Sequence, residues 1–428
     1  MYAVIGAGPM GLATARNLQK QQLPFMGFEL HSDVGGLWDI DNPHSTMYQS
    51  AHLISSKTMT EFTEFPMADS VATYPHHDEL KSYFQDYARH FGLYEYYQFN
   101  ARVTDVRPEG EQWRLTWEQD GDHHEQLFDG VLIANGTLHK PNIMPLPGQF
   151  DGEVMHSCEY RTADVFQGKR VLIVGCGNSA CDIAVDAVHH AAKVDLSVRR
   201  GYYFVPKFIA GRATDTLGGK LSFPMAIKKR LDAKLIQLMV GKPSDYGLPN
   251  PDYALYESHP VINSLVLHHL GHGDITARRD IESCAGHTVH FKDGSQQDYD
   301  LILMATGYQL DFPFIDRQYL NWDNGDAPAL YLNVFHPRYD NLFVMGMVEA
   351  AGLGWEGRNE QAELVALYLR ARQQNKAGDF NKVKASQASQ RVDGGVNYLK
   401  LARMAYYVHK DSYRKAVAQH VNELKQVL

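Results

Sequence analysis

Two stretches of this 428-residue chain run in the same order: a short apolar strand, a glycine-rich turn, then a helix-compatible run. In the first, Tyr2 to Leu18, Ala3-Val4-Ile5 leads into Gly6-Ala7-Gly8-Pro9-Met10-Gly11. In the second, Val171 to Ala187, Val171-Leu172-Ile173-Val174 leads into Gly175-Cys176-Gly177-Asn178-Ser179-Ala180. That order opens a βαβ unit, and it confines the chain to α/β architectures with parallel sheets. The duplication predicts two doubly wound, Rossmann-like dinucleotide-binding domains. A strand signal from Gly130 to Ala134 ends in Asn135-Gly136 and precedes a proline-rich stretch, Pro141 to Pro147, which reads as a crossover. A matching signal from Leu301 to Gly307 closes the second stretch, so the second domain is expected as an insertion: residues 1–155 and 301–428 form one domain and 156–300 the other. A late strand is expected over Asn341 to Gly346, and a helix from about Asn359 to Gln374.

The length suits roughly two or three domains, and 44% hydrophobic with 21% charged residues is ordinary globular composition. A net charge of -9 argues against a nucleic-acid partner, because a phosphate backbone selects basic surfaces. No uncharged apolar run is long enough to cross a bilayer, and Met1 to Gly6 enters a strand at once, leaving no room for a secretory leader. A cytoplasmic protein with no membrane partner is the expectation. Cys158, Cys176, Cys181 and Cys284 contain no Cys-x-x-Cys pair and are expected as reduced thiols. The pairs His76-His77, His123-His124, His189-His190 and His268-His269 match no recognised metal spacing, so no metal is expected and they read as surface polarity. Met225 to Val240 reads as a surface helix with Lys228, Lys229, Arg230 and Lys234 in solvent.

In the first turn Gly6 permits the tight bend, Gly8 lets the backbone approach a pyrophosphate, and Gly11 allows close helix packing. The pyrophosphate then sits at a helix N-terminus, where unpaired N–H groups and the dipole favour anions. Glu29, 18 residues past Gly11, ends the strand signal Phe25-Met26-Gly27-Phe28. A carboxylate there accepts hydrogen bonds from ribose hydroxyls and repels a 2′-phosphate, so this site suits FAD or NAD and not NADP. The second turn has Ala180 where the first has Gly11, and its strand partner, Val194 to Val198, ends in Arg199-Arg200. Guanidinium groups bind phosphate oxygens through several N–H groups at once, so the pair points to NADPH, with a solvated basic loop as the plain alternative. Two sites of opposite charge preference imply a nicotinamide handing a hydride to a flavin.

The run Phe150 to Tyr160 fits Phe-x-Gly-x3-His-x3-Tyr. Around it stand Gly35-Gly36-Leu37-Trp38, the Gly-x-Gly-Asn-Ser-x-x-Asp turn from Gly175 to Asp182, and Ala305-Thr306-Gly307-Tyr308. In order and kind these boxes resemble the flavin-containing monooxygenases, class B flavoprotein monooxygenases of bacterial type, and the resemblance covers nearly the whole chain. It implies reduction of FAD by NADPH, addition of O2 at flavin C4a, and attack of a soft nitrogen or sulfur (an amine or sulfide) on the hydroperoxide, giving an N- or S-oxide. Baeyer-Villiger monooxygenases carry tryptophan where Tyr160 stands, which tilts the reading toward heteroatom oxygenation; ketone oxygenation and an NADPH oxidase releasing H2O2 are the alternatives. Relatives form dimers, so a homodimer is a further expectation.

Turn chemistry and resemblance together assign Gly6, Gly8, Pro9, Gly11, Glu29, Gly36, Leu37, Trp38, His44, Val103, Ala134, Gly136, Gly346 and Gln361 to FAD. They assign Gly175, Gly177, Asn178, Ser179, Ala180, Arg199, Arg200, Thr306 and Gly307 to NADPH. Glu360 and Gln361 are read as opening a helix whose N-terminus faces the isoalloxazine or, equally, as ordinary first-turn polar residues. His156 is expected to link domains rather than move protons. One departure stands out: where the family carries an asparagine facing flavin and nicotinamide, alignment on Lys57 and Phe65-Pro66 places Ile54. Isoleucine donates no amide hydrogen bond, so either Ser55, Ser56, His52 or a shifted residue substitutes, or the intermediate is less stabilised; no catalytic residue is assigned.

Overall fold

The computed structural model describes residues 1–217 and 225–428, and of 225–228 the backbone alone. In chain order the strands of its two principal sheets are β1 (Tyr2–Ile5), β2 (Phe25–Phe28), β3 (Tyr97–Gln98), β4 (Gly130–Ile133), β5 (Glu153–His156), β6 (Arg170–Val174), β7 (Lys193–Ser197), β8 (Ile275–Arg278), β9 (Leu301–Met304) and β10 (Leu342–Val344). The helices that matter below are α1 (Pro9–Lys20), α2 (His77–His90), α3 (Asn178–Val188), α4 (Gly354–Gln373) and α5 (Lys410–Val427).

The first compact unit comprises residues 1–45, 57–139 and 310–428. Its sheet runs β10-β4-β1-β2-β3, all parallel. β1 and β4 are buried along their whole length, with α1 against β1 and the strands of a meander covering Ala3, Ile5, Val131 and Ile133, which is why they read as unbroken apolar runs. From β1 the chain goes through α1 to β2 on one side and later returns to β4 on the other. Strand order therefore reverses at the C-terminal end of β1, the place where doubly wound sheets bind ligands. An antiparallel meander, Ala101–Glu109, Gln112–Gln119 and Asp122–Phe128, adds Trp113, Leu115 and Phe128 to this unit's core.

The second unit comprises residues 46–56 and 140–309. Its sheet, β5-β9-β6-β7-β8, is again all parallel, and β6 leads through α3 to β7 with β9 on the other flank. Val171, Ile173, Ile183, Ala184 and Leu196 form the centre of its core. Both units are thus doubly wound α/β folds, the second inserted in the first.

The boundaries differ from the expected 155/156 and 300/301. β5 pairs with β9, so Glu153–His156 belongs to the second sheet. Lys140–Pro141 pairs antiparallel with Tyr308–Gln309, which holds the outgoing and returning chain side by side and moves the divisions to 139/140 and 309/310. The eleven residues 46–56 were not foreseen in this unit at all; Tyr48 and Ala51 sit in its hydrophobic core.

The late helix also begins earlier than expected, at Gly354 rather than near Asn359. Its glycines answer close packing instead of ending the helix: a Cβ at Gly354 would lie 2.4 Å from the Met59 carbonyl oxygen, and one at Gly357 would lie 2.3 Å from Leu353 Cδ1. Glu360 and Gln361 consequently lie beyond the first turn of α4, and the reading that they open the helix is corrected. A helix does span Met225–Val240; the Lys228 side chain lies outside the described residues, while Lys229 pairs with Glu257 at 3.2 Å rather than standing in solvent. Among the described residues no helix is long and apolar enough to cross a membrane.

Candidate functional site

β1 runs into Gly6, whose φ of +106° suits glycine alone and where a Cβ would stand 2.5 Å from the Ala134 carbonyl oxygen. The next glycines bring loops together: a Cβ on Gly36 would lie 2.9 Å from Gly8 Cα, and one on Gly346 would lie 2.7 Å from Met10 Cγ. Leu37 and Trp38 follow in the same turn, with Trp38 edge-on to Trp355 at 6.2 Å. Gly6, Gly8, Gly36, Ala134 and Gly346 are therefore gathered round the start of α1. Pro9 lies in the first turn of that helix, Gly8 is its N-cap, and no side chain caps its leading amides. A phosphate laid there meets backbone N–H groups and the positive end of the dipole.

Glu29 does more than the sequence suggested. Its buried carboxylate accepts from the Ala7 amide at 2.6 Å and the His31 amide at 2.8 Å, so it braces the glycine turn from behind. Burial pushes its carboxyl up, and the His31 and Ala7 amides pull the other way. Each carboxylate oxygen accepts one of these bonds and keeps acceptor capacity for a hydroxyl. Gln361 is fully buried with both amide ends engaged: Oε1 accepts from the Gly346 amide at 2.8 Å and Nε2 donates to Tyr413 Oη at 2.6 Å. His44 is exposed, Val103 half-buried in the meander, and Gly136 exposed with no neighbour crowding it.

The second turn repeats the first with different side chains. At Gly175, φ is +123° and a Cβ would lie 2.4 Å from the Ala305 carbonyl oxygen; Gly177 faces open space. α3 starts at Asn178 with Gly177 as N-cap and no side-chain cap. Asn178 Oδ1 accepts from the Ile262 amide at 2.7 Å, Ser179 is exposed and Ala180 is fully buried. Past β7, Arg199 is exposed, whereas Arg200 is held bidentate by Asp252 at 2.8 and 3.1 Å. A second exposed cation, Arg279, which the sequence reading missed, follows the neighbouring β8; Ser197 Oγ donates to its carbonyl at 2.9 Å. The signal was there, since Arg278-Arg279 ends a strand just as Arg199-Arg200 does. Arg278 itself is spent on buried Asp195 at 2.7 Å. Thr306 donates to the Asn142 carbonyl at 2.6 Å, and the Gly307 carbonyl accepts from the Asn142 amide at 2.9 Å, so that box clasps the two crossovers.

His156 accepts on Nδ1 from the Cys158 amide at 3.1 Å, and its own amide donates to Glu159 at 2.8 Å. Burial lowers its basicity. Ile54 and Ser55 are half-buried in the second unit, and exposed His52 turns Nδ1 to the Ser50 carbonyl at 2.8 Å. The expectation of surface polarity fails for His77, which is buried at the start of α2. There His76 is the N-cap, and the ligand atoms of His76, His77 and Asp78 lie within 4.8 Å of one another.

Two parallel sheets, each with a glycine turn at its point of reversal, one backed by a carboxylate and the other by cations, define a two-nucleotide oxidoreductase. A family description confirms and narrows the class: the model of the flavin-binding monooxygenase-like family matches residues 1–412, and the chain belongs to that family. It is a flavin-dependent monooxygenase. Flavin-containing monooxygenase 5 of Cavia porcellus is 31% identical over 375 residues, covering 82% of this chain and 69% of the relative. Among solved structures, S-allyl-L-cysteine S-oxygenase from Allium sativum superposes with a TM-score of 0.69 at 21% identity, covering 98% of this chain and 88% of its own. OTEMO in complex with FAD and NADP superposes at 0.74 with 16% identity, covering 100% and 98%.

Proposed function

We propose that the chain oxygenates a soft nitrogen or sulfur atom of a small molecule, using FAD held by the first unit and NADPH held by the second. The observation that carries the assignment is the contrast behind two equal turns: Glu29 buried behind the first, Arg199 exposed and Arg200 fixed by Asp252 behind the second. The residues fit the cofactors, since both helix N-termini are free of side-chain caps and Gly177 leaves room for a close phosphate. When bound, reduced FAD supplies the oxygen-activating chemistry. The chain's own part is to grip phosphates through backbone amides, fix the ribose ends by charge and keep water out of the reacting centre.

The test is cofactor choice. Arg199→Ala removes charge-assisted hydrogen bonds to the 2′-phosphate and is expected to raise the NADPH KM about 10- to 100-fold while leaving the NADH KM nearly unchanged. Equal effects on both cofactors defeat the assignment. Substrate class is read from amines, sulfides and ketones scored for oxygenated product, with H2O2 recorded. A second reading, an oxidase that spends NADPH on H2O2, is favoured by Ile54, which has no amide where the resemblance expects one. It is the right reading if no compound in the set lowers peroxide release.

A further inference from the structure

The strap 46–56 is stapled to the helix that follows the second glycine turn. Tyr160 Oη donates to Asp186 Oδ2 at 2.9 Å, and Ser50 Oγ donates to the same carboxylate oxygen. One helical turn earlier, Asp182 accepts from Tyr48 Oη at 3.3 Å and from Asn263 Nδ2 at 2.6 Å. The Tyr48 and Tyr160 rings meet at 5.4 Å, and Tyr160 stacks on Phe166 at 5.3 Å. Three bonds to the strap's own backbone finish the attachment: the Gln49 amide donates to the Arg161 carbonyl at 2.8 Å, Arg161 Nη1 donates to the Met47 carbonyl at 3.1 Å, and the Ser56 amide donates to Asp215 Oδ2 at 2.6 Å. Tyr160 is the last residue of the Phe-x-Gly-x3-His-x3-Tyr run, and Asp182 closes the Gly-x-Gly-Asn-Ser-x-x-Asp turn. Both motif ends therefore converge on one short segment, the segment that carries Ile54 and Ser55.

We propose that Tyr160 and Asp186, with Tyr48 and Asp182, form a latch whose function is to hold residues 53–55 in register with α3 and so to set how NADPH oxidation divides between oxygenated product and peroxide. This rests on the reading of α3 as the NADPH helix and of Ile54 as the family's asparagine position. The two outcomes balance differently: substrate, O2, NADPH and a proton give oxygenated substrate, water and NADP+, whereas O2, NADPH and a proton alone give H2O2 and NADP+. The four side chains are positioning residues. They lie on the strap, on α3 and in the motif loop, all within one unit, and their order fixes the strap rather than the reacting atoms.

The test uses the intact FAD-loaded protein. Tyr160→Phe keeps the ring and removes one hydrogen bond; Ser50→Ala, at an exposed position, removes the other bond to Asp186. Hydrogen exchange of the amides of Gln49, Ala51 and Ser56 is expected to speed up about fivefold in each variant, with the peroxide share of NADPH consumption rising in parallel. Faster exchange at unchanged peroxide share overturns the latch's role in coupling, and unchanged exchange overturns the latch itself. If instead the NADPH assignment is at fault, the wild-type protein fails to prefer NADPH over NADH, while the exchange comparison still reports on the latch.

Discussion

His336 is buried in the first unit with Nδ1 accepting from the Arg338 amide at 3.0 Å and the Tyr339 amide at 2.8 Å. Burial, with Arg338 and Lys384 nearby, brings its pKa down to about 4. Below its ordinary value of 6.5 the unfolded chain takes up a proton that the folded chain refuses, so stability present above pH 6.5 drains away as pH falls toward 4. The slope is at most about 1.4 kcal/mol per pH unit. Urea unfolding at pH 7 and pH 5 is expected to show a loss of about 1–2 kcal/mol in the wild type, and a smaller one in His336→Asn, whose amide oxygen takes over the two bonds. At Ile54 the expected outcome concerns turnover: Ile54→Asn lowers the H2O2 released per NADPH, and equal or greater release defeats the idea. Single residues were legible where chemistry has one use for them. Arg199, expected as a cation at a strand end, does stand there exposed. Glu29 and Gln361 were half legible, because a sequence shows the strand end or helix they sit on but not the backbone amides of Ala7 and Gly346 they grip.

The strand-turn-helix elements were the most readable part, since glycine is forced there by geometry that nothing else satisfies. Gly177 separates ligand from structure: its φ is -78° and a Cβ meets nothing within 4 Å, so alanine is tolerated by the fold. Gly177→Ala is expected to keep its FAD and its melting temperature while its NADPH KM rises about tenfold or more, a cost of about 1.4 kcal/mol taken by the phosphate contact alone. A falling melting temperature with unchanged KM places that glycine in the structure and not in the site. Element ends were less readable. α4 starts at Gly354, ahead of the expected Asn359, and Gly354 lies against the Met59 carbonyl, a tertiary contact that no local pattern carries. His76 likewise caps α2 in a capping box with Glu79, a role histidine seldom advertises in sequence.

At the level of the molecule the repeat announced two units, and the insertion of one into the other followed from the order of strand signals. What stayed hidden was the strap, because eleven residues without a regular helix or strand leave no periodicity to read. Tyr48 nevertheless sits in the second core with 6% of its surface exposed. Tyr48→Ala is expected to destabilise that unit by about 3–5 kcal/mol, visible as an earlier, separate transition in thermal unfolding. A single unchanged transition shows the strap adds little to that core. The chain therefore passes between its units four times, at 45/46, 56/57, 139/140 and 309/310. Breakpoints for a chimera follow from that count. A donor segment spliced in at 140–309 arrives without the tyrosine that completes its interior and inherits the host's in its place, so the two pieces must travel together, and recombination between relatives succeeds where both come from one parent.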